Sequence, residues 1–217
     1  MRVTHTEDTM NTAYTLADHR CKYPANILTL ISHAYPTPEV ALLAHYPDLP
    51  RILRVEADKP WRVDRLTLRT DDPVRVLGEV APPELSDLER VAWVVVLTAH
   101  TATRDWSVNW LSGENRSYQS AMAAAQWHEH MTDSERAARV AAMSAAMLAE
   151  GNPPSPRLGP QERAYVARTG EPGYHAAHAA EMYPHPERLM PALMHARSIL
   201  AGDVPAELSD ALPPLTS

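Results

Sequence analysis

Residues 86–106 read SDLERVAWVVVLTAHTATRDW, and whether this stretch is helix or strand decides the fold. It holds the longest apolar run in the chain, Val91 to Leu97, seven residues without a charge. Ser86 followed three residues later by Glu89 fits a capping box, in which each side chain satisfies the other's backbone N–H at a helix start. At about 100° per residue, Leu88, Val91, Ala92, Val95, Ala99, Ala102 and Trp106 share about one third of the helix circumference. Glu89, Trp93, His100 and Arg104 gather on another side. The pattern predicts a central helix over about 87–105 with a packing stripe and one mixed polar edge.

The alternative is a strand. Val94, Val95 and Val96 are β-branched, and a short apolar run cannot be assigned by periodicity alone. A buried strand at 91–98 turns the fold toward α/β. The capping box and the coherent stripe favour the helix.

Immediately upstream, residues 51–80 change character. RILRVEA (51–57), WRVDRLTLR (61–69) and VRVLGEV (74–80) alternate apolar and charged residues, with the turn signals ADKP and TDDP between them. Short connections predict a three-stranded antiparallel meander packed against the 87–105 helix. The middle strand changes phase between Val63 and Leu66, which a bulge near Asp64–Arg65 reconciles. Arginines 51, 54, 62, 65, 69 and 75 are expected on the solvent face, interleaved with acids; an anion or nucleic-acid surface is the minority reading. Further upstream, 1–11 read as a polar tail and 12–22 as weakly helical. Tyr-Pro at 23–24, 35–36, 46–47 and 183–184 marks joints between short elements. Helices are expected at 24–34 and at 38–46, the second capped by Thr37.

Downstream, 107–116 read as a loop and 117–131 as a helix. Thr132 with Glu135 repeats the capping-box pattern and opens an alanine-rich helix to about Glu150. NPPSPRLGP at 152–160 is the best linker candidate. Helices follow at 160–168, 172–183 and 186–201, the last closed by Gly202. The expected fold is therefore α+β and mainly helical: a core domain over 1–151, a linker at 152–160, a helical segment at 161–202 packed on the core, and an acidic tail at 203–217.

Composition bounds function more than it reveals it. The chain has 217 residues, 45% hydrophobic and 22% charged, as an ordinary globular protein has. One cysteine, Cys21, excludes an intrachain disulfide and a cysteine-based zinc site. Twenty basic residues against twenty-seven acidic give a net charge of −7, which disfavours nucleic acid as a partner. No apolar run is long enough for a membrane span, and MRVTHTEDTMNT lacks the features of a signal peptide. A cytoplasmic protein is expected, or a virion-associated one if the source is a phage. Lys22 and Lys59 are the only lysines, and with the alanine and proline excess this arginine bias points to a gene of high GC content, actinobacterial or phage. Phenylalanine is absent, so five Trp, eight Tyr and nine Met supply the large side chains. The indole N–H and phenol groups then need partners in the core.

Three clusters carry candidate chemistry. Glu89, His100 and Arg104 form the polar edge of the central helix; a carboxylate orienting a histidine against an apolar wall suits general acid–base catalysis. Each also has a structural role available, as cap, core histidine or dipole partner. His175, His178 and Glu181 lie at i, i+3 and i+6 in one predicted helix, with His185 beyond the Tyr-Pro joint and His195 further on. This spacing allows two imidazoles on one divalent metal (Zn, Mn or Ni) but matches no strong ligand signature. WHEHM at 127–131 is weaker, because His128 and His130 face opposite sides of a helix. There is no GxSxG, GxGxxG or GxxxxGK[ST]. The expectation is a non-enzymatic interaction protein, regulatory or assembly-related, whose partner is another protein or a second copy, without membrane or cofactor. The alternative is a small metal-dependent hydrolase using the C-terminal His/Glu cluster.

Overall fold

The computed structural model describes residues 12–17, 28–29, 34–44, 51–59, 61–99, 103–126, 129–150 and 171–203. The chain forms two compact units, one comprising Met1–Leu42 with Leu49–Pro83 and the other Leu43–Asp48 with Glu84–Ser217. The fold is α+β and mainly helical, with an antiparallel sheet confined to the first unit.

The strand unit contains β1 (Thr12–Ala17), β2 (Leu28–Thr29), β3 (Arg51–Ala57), β4 (Arg62–Asp64), β5 (Thr67–Arg69) and β6 (Val74–Val80). β1, β3, β6 and β2 form one sheet in that order, all neighbours antiparallel, while β4 and β5 form a separate hairpin. The three predicted segments are all strands, but their pairing differs from a meander. WRVDRLTLR does not lie between β3 and β6 as a single bulged strand. It folds back on itself at Arg65–Leu66, with Asp64 opposite Thr67. Arg65 takes a φ of 54°, a left-handed value that two-residue hairpins demand and that glycine usually fills. The phase change between Val63 and Leu66 is therefore a chain reversal. It buries Leu66 and Leu68 while Val63 stays 65% exposed. β3 then pairs directly with β6.

That pairing contains the bulge. Arg54 faces Gly78 and Val55 faces Val76, so Leu77 is the extra residue, and Gly78 adopts a φ of 156°. A residue with a side chain rarely reaches that conformation. Leu53, Val55, Ala57, Trp61, Leu68, Val74 and Val76 form the unit's core with Ala13 and Ala34.

Upstream, two expectations are corrected. Residues 12–17 form a strand, because Thr12, Tyr14 and Leu16 alternate with Ala13 and Thr15 and the edge of β3 supplies partners. A helix over 24–34 does not hold either: Leu28–Thr29 pair with β6, and Ala34 and Tyr35 bridge to Leu68 and Tyr14. The bridge at Tyr35 comprises two backbone hydrogen bonds of 2.9 and 2.6 Å with Tyr14. Helix α1 (Pro38–Ala44) starts as expected, with the Thr37 hydroxyl accepting the Val40 N–H at 3.3 Å.

In the helical unit, α2 spans Asp87–Thr98. The strand alternative for 91–98 is thereby settled in favour of helix, and both halves of the Ser86–Glu89 capping box are present. The helix is shorter than the expected 87–105. Thr98, Thr101 and Thr103 place β-branched residues where it would have to continue, and the Thr98 hydroxyl turns back to donate to the Val94 carbonyl at 2.8 Å. A separate helix, α3 (Arg104–Leu111), occupies the first half of the expected 107–116 loop. Helix α4 runs only over Tyr118–Ala124, and α5 over Asp133–Glu150 behind the predicted Thr132–Glu135 capping box. Helix α6 (Pro172–Met182), a 3-10 turn (Pro186–Arg188) and α7 (Leu189–Ala201) follow. Gly202 closes α7 in the left-handed conformation, φ 78°.

Every residue of α2 from Arg90 to Thr98 is buried. The helix is in contact with α5, α6 and α7, so it is the central element of this unit and has no free face over that length. α5 and α6 are in contact, and both bury alanines, Ala141, Ala142 and Ala145 on the first and Ala176, Ala179 and Ala180 on the second, all at or near zero exposure. Small side chains let the two backbones approach closely, and the Ser144 hydroxyl donates to the Pro172 carbonyl at 2.6 Å across the contact. The predicted 152–160 linker, the 160–168 helix and residues 204–217 lie outside the described residues. No helix among the described residues is long and apolar enough to cross a membrane.

Candidate functional site

The polar edge read on the central helix resolves into separate structural positions. Glu89 is bound on both carboxylate oxygens. One accepts the Ser86 N–H at 2.9 Å and the Ser86 hydroxyl at 2.8 Å; the other accepts Arg197 Nε at 3.0 Å. Arg197 also donates to the Glu84 carbonyl at 3.1 Å, which fastens α7 to the start of α2. Burial alone raises the Glu89 pKa, but the Ser86 N–H, the Ser86 hydroxyl and the Arg197 guanidinium outweigh it and hold the carboxyl below its usual range. Trp93, read as part of the same edge, is fully buried and donates its indole N–H to the Leu189 carbonyl at 2.6 Å. Arg104 is not at the C-terminus of this helix, because α2 ends first; it opens α3 and is exposed. A cation there lies at the positive end of the helix dipole, the opposite of the role expected for it. His100 lies outside the described residues. The continuous face that linked Glu89 to Arg104 required a helix of five turns, and α2 does not extend that far.

The C-terminal histidines pair locally. His178 Nδ1 lies 3.8 Å from Glu181, both more than half exposed, and His185 Nδ1 lies 3.3 Å from Glu187. His175 stands edge-on to Tyr174 at 5.5 Å between ring centroids, and His185 to Tyr183 at 5.6 Å. His195 is part-buried on α7; its Nε2 is enclosed without a hydrogen-bond partner, and burial lowers its pKa. Among the described residues no group of three or more His, Cys, Asp or Glu is placed to hold a metal ion. His130 lies beyond the end of α4, in a left-handed conformation with φ 65°; Trp127 and His128 lie outside the described residues.

Three of the six arginines read on the solvent face of the strand unit meet acids. Arg51 pairs with Glu79 at 2.6 Å, Arg62 with Asp71 at 2.5 Å and Arg75 with Glu56, while Lys59 pairs with Asp72 at 2.9 Å. Neutralised pairs of this kind make a solvated face.

A feature without a sequence signal lies in the helical unit. Leu88 of α2, Trp110 of α3, Arg116 of the α3–α4 connection, and Ala145, Leu148 and Ala149 of α5 line an open apolar groove of about 280 Å³. The Arg116 guanidinium is fixed there. Its Nε donates to the Trp110 carbonyl at 2.9 Å, its Nη2 donates to the Leu111 carbonyl at 3.2 Å, and its Cζ lies over the Trp110 ring, 5.1 Å from the ring centre. Those carbonyls belong to the last turn of α3, so the cation also caps the negative end of that helix. One turn earlier on α3, Trp106 Nε1 and Ser107 Oγ are buried without hydrogen-bond partners. The groove draws on four elements between residues 88 and 149, and nothing in any one of them marks it.

No protein-family model, curated protein or solved structure matches the chain. Its function has to be read from the residues themselves.

Proposed function

We propose that this chain is a non-enzymatic interaction protein whose helical unit docks another protein, in a regulatory or assembly role. The observation that carries the reading is the groove beside Trp110. It is apolar, open at the surface and walled by helices, whereas Glu89, one of the groups read as catalytic, is engaged in holding α7 to the start of α2. Docking sites of this kind present a shaped apolar surface with a few fixed polar groups. A phage or mobile-element source fits the arginine and alanine bias of the sequence. Neither bound metal nor cofactor is required by this role.

Size-exclusion chromatography with light scattering, followed by affinity capture from the native host, tests the proposal. Wild type is expected to retain a specific protein, or to self-associate, and Leu148→Glu to lose it while keeping its melting temperature. A strictly monomeric wild type that retains nothing, or a partner held equally by Leu148→Glu, would count against it.

A further inference from the structure

We infer that the groove is built for an acidic apolar segment of a partner protein, one that inserts a leucine-sized side chain and presents a neighbouring carboxylate to Arg116. This rests on the docking role proposed above and names the chemistry of the partner.

Arg116 is the reason. A guanidinium has five N–H donors. Two are committed to the carbonyls of Trp110 and Leu111 through Nε and Nη2. Three remain, including both on Nη1, and no described residue takes them, so among the described residues the terminal Nη1–Nη2 edge is open to the two-point contact that a carboxylate accepts. Arg51, Arg62, Arg75, Arg136 and Arg197 each meet a carboxylate. Arg116 meets none among the described residues; its contacts are the two carbonyls and the Trp110 ring. Because the side chain is already fixed by those contacts, binding an acid orders little that is not ordered beforehand.

The rest of the lining limits what accompanies the acid. Leu88, Leu148, Ala145 and Ala149 offer no hydrogen-bonding side chain, so the group entering beside the carboxylate is aliphatic. A volume of about 280 Å³ falls just under the range of pockets that take drug-sized ligands and cofactors, and suits one or two side chains of a peptide.

The test uses the full-length, ¹⁵N-labelled chain and three blocked tripeptides: acetyl-Leu-Asp-Leu-amide, acetyl-Leu-Asn-Leu-amide and acetyl-Ser-Asp-Ser-amide. The first is expected to shift the Trp110 indole and Arg116 Nε signals saturably. The asparagine version should bind about threefold more weakly, the scale of one exposed charge pair, and the serine version should leave both signals in place. Arg116→Gln should make the aspartate and asparagine peptides equal. Should that variant fail to fold, the aspartate–asparagine comparison on wild type decides alone. Equal affinity of those two peptides for wild type, or shifts lying away from the groove, would overturn the inference. So would isocaproate binding as tightly as acetyl-Leu-Asp-Leu-amide, since the groove would then be a site for small acids. If none of the peptides binds but a captured protein is still lost from Leu148→Glu, the docking role stands and its acidic partner does not.

Discussion

The exposed cations of the strand unit and the enclosed donors of the helical unit end on different acceptors. In the strand unit, Arg51, Lys59, Arg62 and Arg75 reach carboxylates on the solvent side of the strands and turns. In the helical unit, Trp93, Thr98, Arg116 and Ser144 reach backbone carbonyls. The reason is geometric. An alternating strand keeps one face in water, where ion pairs form without desolvation. A helix enclosed over nine consecutive residues has no wet face, so its few polar groups must close on the nearest unsatisfied backbone oxygen. The lesson concerns what each unit responds to: volume and hydrogen-bond loss in the helical unit, salt and charge in the strand unit.

The largest effect that probes this contrast is Trp93→Ala. It removes the largest fully buried side chain of α2 and leaves the Leu189 carbonyl without its donor. A loss of about 3–5 kcal/mol in unfolding free energy is expected, read by urea denaturation followed by circular dichroism. Val55→Ala in the strand core should cost about 2 kcal/mol. If the two variants are equal, α2 is not the more constrained element. Next comes Ala142→Leu, which forces a larger side chain into the buried, alanine-rich face of α5. Overpacking of this kind costs about 1–3 kcal/mol. A neutral result would show that the buried side of α5 tolerates volume and is not the close contact its alanines indicate.

How much of this was legible follows from range. The capping boxes at Ser86 and Thr132 read correctly because everything they need lies within four residues. The helix assignment of 91–98 followed from the first of them. Trp93 was placed on a polar edge because a helical wheel sorts residues by angle alone; only the neighbours α5, α6 and α7 make α2 buried all round. Arg197 partners Glu89 across 108 residues, and no local pattern announces such a pair. Asp64–Arg65 carried a readable phase change, but a bulge and a reversal produce the same change, and the direction of the following strand depends on tertiary pairing. The groove is the extreme case. Its lining residues are ordinary ones, and only folding gives them a common address.

Glu89 is a part-buried carboxylate of the helical unit that takes charged and neutral donors together, and it makes a prediction in pH. Its folded pKa lies below the ordinary 4.5, so its stabilising contribution is complete above that value and is lost as pH falls through the lower, folded value. His195, also lowered, acts in a separate window: the unfolded chain takes up its proton first, so stability declines as pH falls from 6.5 toward the lowered value. Urea midpoints measured from pH 7 to pH 3 should therefore show Glu89→Gln flattening the limb below 4.5 and leaving the decline that begins at 6.5 unchanged. Ser86→Ala should cost about 1 kcal/mol at neutral pH through loss of the cap. An acid limb in Glu89→Gln as steep as in wild type would remove Glu89 from the account.

The smallest effect is expected where the strand unit is most charged. Arg62 and Asp71 are 68% and 88% exposed at the side chain, although only 2.5 Å apart. Water screens such a pair, and holding two long side chains together offsets much of the attraction. Its measured worth is typically about 0.2–1 kcal/mol. The informative quantity is the coupling between Arg62→Gln and Asp71→Asn in a double-mutant cycle, at low salt and again at about 1 M, where the Debye length is near 3 Å. The coupling should be small at low salt and vanish at high salt, while the cost of Trp93→Ala does not shrink in step with it. A coupling that survives high salt would mean that this pair is shielded from solvent, and the contrast between the units would then lie in their acceptors alone and not in their exposure to water.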